Sequence, residues 1–185
     1  MLQATNTNFL PPFPDTIIVN EGGDGKIDFA KGKTYRVRII SFSAFASALL
    51  HFDSHTMQVI MTDGSYTEKE QAYQLRISPA QRYDVLISCI GRDNRNYPYL
   101  VSLDINRDFT KPNAVYPHNF TGHLVMDANK PFTVDTVDDW NPVDDSHFKP
   151  LLPIPRFEPV TTNIVLDFEF CSDKNGIPRY ILNSI

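Results

Sequence analysis

Side chains in several stretches of this chain alternate apolar and polar with a period of two. In Thr34-Tyr35-Arg36-Val37-Arg38-Ile39-Ile40, Tyr35, Val37 and Ile39 share one face, while Arg36 and Arg38 share the other. An extended strand sends successive side chains to opposite sides, so this pattern predicts a half-buried β-strand; wound into a helix, the same residues would scatter their apolar groups around the axis. Residues 73–78 repeat the pattern with Tyr73, Leu75 and Ile77 inward, and 82–88 follow after the break at Pro79. Residues 166–170 alternate again, with Asp167 and Glu169 outward. Shorter strands are predicted at 16–19, 26–29, 48–52, 57–62, 99–103 and 122–126. Turn signals separate them: Glu21-Gly22-Gly23-Asp24-Gly25, Lys31-Gly32-Lys33, Asp63-Gly64 and Asn175-Gly176. No segment carries a convincing three-turn helical period. About ten short strands at this spacing predict an all-β antiparallel sandwich or barrel, with Tyr35, Val37, Ile39, Leu75, Ile77, Val85 and Ile87 in its core.

A length of 185 residues suits one domain, here taken as 1–185. The net charge of −5 argues against a nucleic-acid surface, which needs a basic patch. No apolar run reaches the roughly 20 residues of a membrane span, and 1–9 lacks the apolar centre of a signal peptide. One segment stands apart. Residues 131–160 carry Asp135, Asp138, Asp139, Asp144 and Asp145, then Pro150, Pro153, Pro155 and Pro159. Proline lacks a backbone donor, so this stretch cannot be a central strand. It reads as a surface excursion packed through Trp140, Phe148 and Phe157, serving either as an ordered connector or as a functional loop.

The chemistry-bearing residues are sparse. The five histidines, His51, His55, His118, His123 and His147, include no His-x-His pair, and no cysteine lies near any of them. On one continuous strand His51 and His55 would stand about 13 Å apart, too far to share an ion. A structural copper or zinc site is therefore not expected. There is no Gly-x-Ser-x-Gly and no glycine-rich phosphate loop. Cys89 sits in a strand-like apolar run and Cys171 ends another; their pairing is open. Asn119-Phe120-Thr121 is an N-glycosylation acceptor pattern.

Four elements occur in order: Thr34-Tyr35-Arg36-Val37-Arg38-Ile39-Ile40, His51-Phe52-Asp53-Ser54-His55-Thr56-Met57, Thr62-Asp63-Gly64, and Ser78-Pro79-Ala80-Gln81-Arg82-Tyr83-Asp84-Val85-Leu86-Ile87. Together they resemble the second, plastocyanin-like (cupredoxin) domain of fungal three-domain multicopper oxidases, most of all the branch of ferroxidases and pigment-pathway oxidases. The resemblance implies a Greek-key cupredoxin-like sandwich with an N-terminal linker at 1–13. Residues 161–185 would carry the last strands and the start of a crossing into a third domain. It implies copper in the parent protein, bound by the first and third domains, with none in this chain. The chain would be a fragment, inactive alone, from a secreted or cell-surface parent that oxidises Fe(II) and reduces dioxygen to water. The first and third domains would be its partners. The resemblance places Asp53 where the ferroxidases carry an Fe(II)-ligating glutamate and Asp145 near a second such carboxylate; the competing reading is that both are solvated acids, one on the surface and one in a loop. Asp53 is a methylene shorter than the family's glutamate, and Ser54 replaces a usual acid. Two other readings compete: a laccase-type phenol oxidase domain, and a stand-alone β-sandwich binding module. A complete one-domain copper protein would need a cysteine and two histidines in one site, and no such group is visible.

Overall fold

The computed structural model describes residues 14, 16–89, 95–105, 118–134, 136–155 and 157–183. The linker expected at 1–13 lies outside them, as does Asp135. The strands are β1 (Lys26–Asp28), β2 (Thr34–Ile40), β3 (Ala48–Phe52), β4 (Met57–Thr62), β5 (Ser65–Ala72), β6 (Gln74–Ile77), β7 (Arg82–Ser88), β8 (Tyr97–Leu103), β9 (Asn119–Val125), β10 (Phe168–Ser172) and β11 (Pro178–Leu182). One sheet has the order β1-β9-β8-β3-β6 and another the order β2-β7-β4-β5. All pairings within them are antiparallel except β1 with β9.

The period-two segments between residues 34 and 88 place their apolar faces largely as expected, whereas at 166–170 Leu166 and Phe168 are themselves exposed. Leu75, Ile77, Val85 and Ile87 are buried in a core shared with Met57, Val59, Tyr83, Tyr99 and Leu124, while Tyr35, Val37 and Ile39 pack against it half-buried. Tyr73 departs from expectation and is 66% exposed. It is the single residue between β5, in the four-stranded sheet, and β6, in the five-stranded one. A residue at that corner belongs to neither pleat, so the inward alternation begins only at Leu75. The strand expected at 16–19 does not form, and the last alternating segment settles as Phe168–Ser172. Two strands carried no clear signal, β5 and β11. In Ser65-Tyr66-Thr67-Glu68-Lys69-Glu70-Gln71-Ala72 only Thr67 and Ala72 are buried, so an edge strand that faces mostly water looks like a polar loop.

By their contacts the described residues form two compact units, a first running through Pro153 and a second from Ile154 onward. Among the described residues β10 and β11 pair only with each other, Phe168 opposite Leu182 and Ser172 opposite Pro178. The boundary falls among Pro150, Pro153 and Pro155, where missing donors prevent a continuous ladder. Cys89 is buried, with its Sγ 3.7 Å from the Met126 sulfur, and Cys171 lies in the second unit.

The excursion is ordered by the two sheet edges it covers. Gln74 at the free edge of β6 donates through Nε2 to the Asp139 carbonyl at 3.1 Å, accepts the Asn141 amide on its Oε1, and accepts Val143 N–H on its carbonyl at 3.1 Å. Further on, Glu68 N–H donates to Lys149 C=O at 2.9 Å and Leu151 N–H to Tyr66 C=O at 2.8 Å, along the free edge of β5. A proline-rich strap thereby occupies backbone groups that would otherwise template pairing with another chain. Of its three aromatics, Phe148 packs edge-on to Tyr83 at 6.1 Å between centroids and Trp140 is half-buried. Phe157 does not anchor it: it belongs to the second unit and is 98% exposed.

Candidate functional site

Asp53 follows the last residue of β3, where the chain turns toward β4. Ser54 takes φ = +58°, and Asp53 N–H donates to the Pro98 carbonyl on β8 at 3.0 Å. Both carboxylate oxygens are engaged. Oδ1 accepts the Ser54 hydroxyl at 2.9 Å, and Oδ2 is 2.8 Å from Nη2 of Arg95. Arg95 Nη2 also reaches Ser54 Oγ at 3.1 Å, and its guanidinium lies 4.5 Å over the Tyr97 ring. His55 is beneath this group. It is buried against Tyr97 (4.6 Å) and Phe29 (5.3 Å), with Nδ1 donating to the Asp53 carbonyl at 2.7 Å. A carbonyl can only accept, so it fixes the proton on Nδ1.

Asp145 begins a single 3₁₀ turn, Asp145–His147, capped by Asp144, which accepts the Ser146 amide at 3.0 Å. Those Ser146 donors hold the Asp144 carboxyl below its usual range. Asp145 Oδ2 accepts from Gln81 Nε2 at 3.0 Å and from the Tyr83 hydroxyl at 3.3 Å. Gln81 is itself oriented, accepting Ser78 N–H at 2.9 Å and donating to Tyr83 at 2.8 Å. Burial, and then the nearby Asp145 charge, push the Tyr83 phenol strongly upward, so it stays a neutral donor. A cleft of about 410 Å³ beside them is lined by Arg76, Ser78, Pro142, Val143, Asp144 and Asp145.

The structure does not bring Asp53 and Asp145 together. In the β3–β6 pairing, His51 is opposite Gln74 and Ala48 is opposite Ile77. Asp53 continues from the Phe52 end of β3, whereas Asp145 is tied to the turn that follows Ile77. The five residues of β3 separate those ends by roughly 17 Å, so one ion cannot touch both carboxylates.

Nor do the described residues fit a copper centre. No group of three or more His, Cys, Asp or Glu converges among them. His51 Nδ1 faces the Tyr73 carbonyl and His123 Nε2 the Thr133 carbonyl, while His55 is enclosed by rings. Asn119 opens β9, exposed, opposite Ser102. The sequence reading missed the groups that hold the two carboxylates. Gln81 and Tyr83 were visible only as part of an Ala-Gln-Arg-Tyr element, and Arg95 carried no signal at all, because its partner is 42 positions away in sequence.

Comparison with known proteins gives these sites a context. Residues 1–129 match the family model described as multicopper oxidase. The iron transport multicopper oxidase fetC of Epichloe festucae is 34% identical over 145 residues, covering 78% of this chain and 23% of the relative. The iron transport multicopper oxidase FET3 of Gibberella zeae is 33% identical over 187 residues, covering all of this chain and 30% of the relative. The crystal structure of Fet3p, a multicopper oxidase that functions in iron import, superposes with a TM-score of 0.86 and 25% identity, over 97% of this chain and 34% of that one. The laccase of Botrytis aclada shares the fold, with a TM-score of 0.68 and 21% identity over 86% of this chain and 29% of the laccase. The chain thus spans less than a third of the curated relatives it matches.

Proposed function

The chain belongs to the multicopper oxidase family, and we propose that it is the copper-free middle domain of an enzyme coupling one-electron oxidation of Fe(II) to reduction of dioxygen to water. The observation that carries this reading is the end-to-end likeness to the iron-transport branch. All of the chain aligns with under a third of the Gibberella FET3, and 97% of it superposes on about a third of Fet3p. A piece of that size is what one of three domains would be. On this reading the copper belongs to the first and third domains, which are its partners. The laccase likeness carries the fold alone.

What this chain contributes is then scaffold and oxygen donors. Ferrous iron takes carboxylate oxygens readily, and anionic ligands favour loss of an electron. Asp53 and Asp145 serve as separate Fe(II) ligands, each completed by groups from a neighbouring domain. Asp145 is the more open of the two, since among the described residues only neutral donors hold its carboxylate. A secreted or cell-surface parent would accommodate a glycan on the exposed Asn119. Among the described residues no helix is long and apolar enough to cross a membrane.

The test has two parts. The purified 185-residue chain, dialysed against copper and then against buffer, should retain no stoichiometric copper and show no intense blue absorption; one tight copper per chain would overturn the spacer reading. The complete copper-loaded oxidase carrying this domain should oxidise Fe(II) at low concentration. Turnover of phenols with no turnover of Fe(II) would instead favour the laccase-type reading. A protein that never associates with copper-bearing domains would favour the binding-module reading.

A further inference from the structure

We propose that Arg95 is a gate on Asp53, a resident cation that a divalent ion must displace before the carboxylate can serve as a ligand. The inference rests on the reading of Asp53 as an Fe(II) ligand and goes beyond it, because no part of that reading assigns a role to Arg95.

The geometry is specific. Asp53 has two oxygens, and the structure occupies both, Oδ1 with the Ser54 hydroxyl at 2.9 Å and Oδ2 with the Arg95 guanidinium at 2.8 Å. The hydroxyl is neutral and can coexist with a metal on the other oxygen. The guanidinium cannot, since an ion at Oδ2 would meet its positive charge at contact distance. Exchange is feasible because the pair is only partly sequestered, with side-chain exposures of 39% for Arg95 and 23% for Asp53. Arg95 also has somewhere to rest when it lets go. Its guanidinium carbon lies 4.5 Å over the Tyr97 ring, a contact it can keep when Nη2 swings off Oδ2. Tyr97 in turn is buried and braced edge-on by His55.

In the exchange one N–H···O bond to Oδ2 breaks as one metal–oxygen bond forms; no proton or electron moves. A monovalent cation offers the carboxylate no more charge than the guanidinium already does, whereas a divalent one offers twice as much. Arg95 therefore raises the threshold for any ion at Asp53 and favours divalent over monovalent ions. It is a positioning residue, not a catalytic one.

The experiment uses the complete copper-loaded oxidase that carries this domain, with Arg95→Gln, Arg95→Lys, Asp53→Asn and the Asp53→Asn/Arg95→Gln double variant. Thermal unfolding first establishes that each variant is folded; Arg95→Lys, which keeps the charge, controls for lost packing on Tyr97. Steady-state kinetics with Fe(II), a phenol as an iron-independent control, and calorimetric titration with Mn(II) as a redox-inert oxygen-seeking ion provide the readouts. Arg95→Gln should lower KM for Fe(II) and tighten Mn(II) binding by about fivefold, the size of a partly exposed ion pair. The kcat and the phenol rate should hold, and Arg95→Lys should stay near the parent value. In the Asp53→Asn background Arg95→Gln should have no effect. If Asp53→Asn raises KM while Arg95→Gln leaves it unchanged or raises it, the gate is overturned and the ligand reading survives. If Asp53→Asn leaves KM and Mn(II) binding untouched, the ligand reading falls and the gate with it. If Arg95→Gln tightens Mn(II) equally with and without Asp53, Arg95 acts as a general field and not as a gate.

Discussion

Arg36 donates from Nε to Oδ2 of Asp84 at 2.6 Å, across the β2–β7 pair, on the outward face of the four-stranded sheet. Asp84 is only 3% exposed although it points away from the core. It is covered by the arginines themselves, with Arg38 at 3.7 Å and the Arg36 guanidinium lying over Tyr66 at 5.7 Å. An outward arginine of this sheet is therefore part of the structure, and a groove of about 250 Å³ runs beside it, lined by Arg36, Arg38, Ile40, Met61, Gly64, Arg82 and Asp84.

That relationship separates two neighbours that look alike in sequence. Arg36→Ala leaves a covered carboxylate without its main donor, and an unpaired buried charge is costly. Arg38→Ala removes only the more distant partner, from a side chain that is 70% exposed. Urea unfolding should show a clear drop in midpoint for Arg36→Ala and almost none for Arg38→Ala. Adding Asp84→Asn to Arg36→Ala should recover part of the loss. Equal midpoints for the two single variants would mean that Arg36 is as dispensable as any solvated arginine.

The core makes a graded prediction. Ile87 is fully buried, whereas Ile39, on the paired strand, is only half-buried. Ile87→Ala should cost roughly 2–5 kcal/mol by leaving a cavity. Ile39→Ala should cost less, because part of its surface already meets water. Chemical denaturation with an unchanged m-value checks both; a larger loss at Ile39 would mean that the inner face of β2 is covered more deeply than its exposure indicates.

Gly122 on β9 lies directly against the Tyr99 ring opposite it. A methyl group there would overlap that ring, so Gly122→Ala should destabilise by about 1–3 kcal/mol or more. Tyr99→Phe should be close to neutral, because the buried Tyr99 hydroxyl has no hydrogen-bond partner among the described residues. Thermal unfolding of the two variants would settle the pair, and a tolerated alanine would place Tyr99 away from Gly122.

Tyr83 should leave an alkaline signature. Its phenol is raised above the ordinary value of 10.0 by burial first and by Asp145 second. The folded state therefore holds this proton more tightly than the unfolded chain. Its contribution is complete below the unfolded pKa of about 10 and is lost as pH climbs through the folded value. Stability should fall above roughly pH 10, and Tyr83→Phe should flatten that branch in part. Tyr99, also raised by burial, supplies another share. An unchanged alkaline slope in Tyr83→Phe would mean that Tyr83 ionises alike folded and unfolded.

The strands β2, β3, β4 and β7 run from 34 to 40, 48 to 52, 57 to 62 and 82 to 88, the bounds the residue pattern predicts. This was possible because alternation is a local property, visible wherever one face of a strand meets the core and the other meets water. The family was legible for a similar reason, since its elements are contiguous strings. Strand β5 was illegible, as an edge strand has little to bury, and Tyr73 was misread because a corner between sheets interrupts the pleat without marking itself in composition. The candidate site divides the same way. Asp53 and Asp145 could be named only through the family resemblance, and the chain alone could not reveal that β3 holds them at opposite ends. Nor could it reveal that Arg95, Gln81 and Tyr83 hold their oxygens, or that the proline-rich strap seals the edges of β5 and β6. Those relations join residues tens of positions apart, and only the pairing of strands from different parts of the chain brings such groups to hydrogen-bond distance.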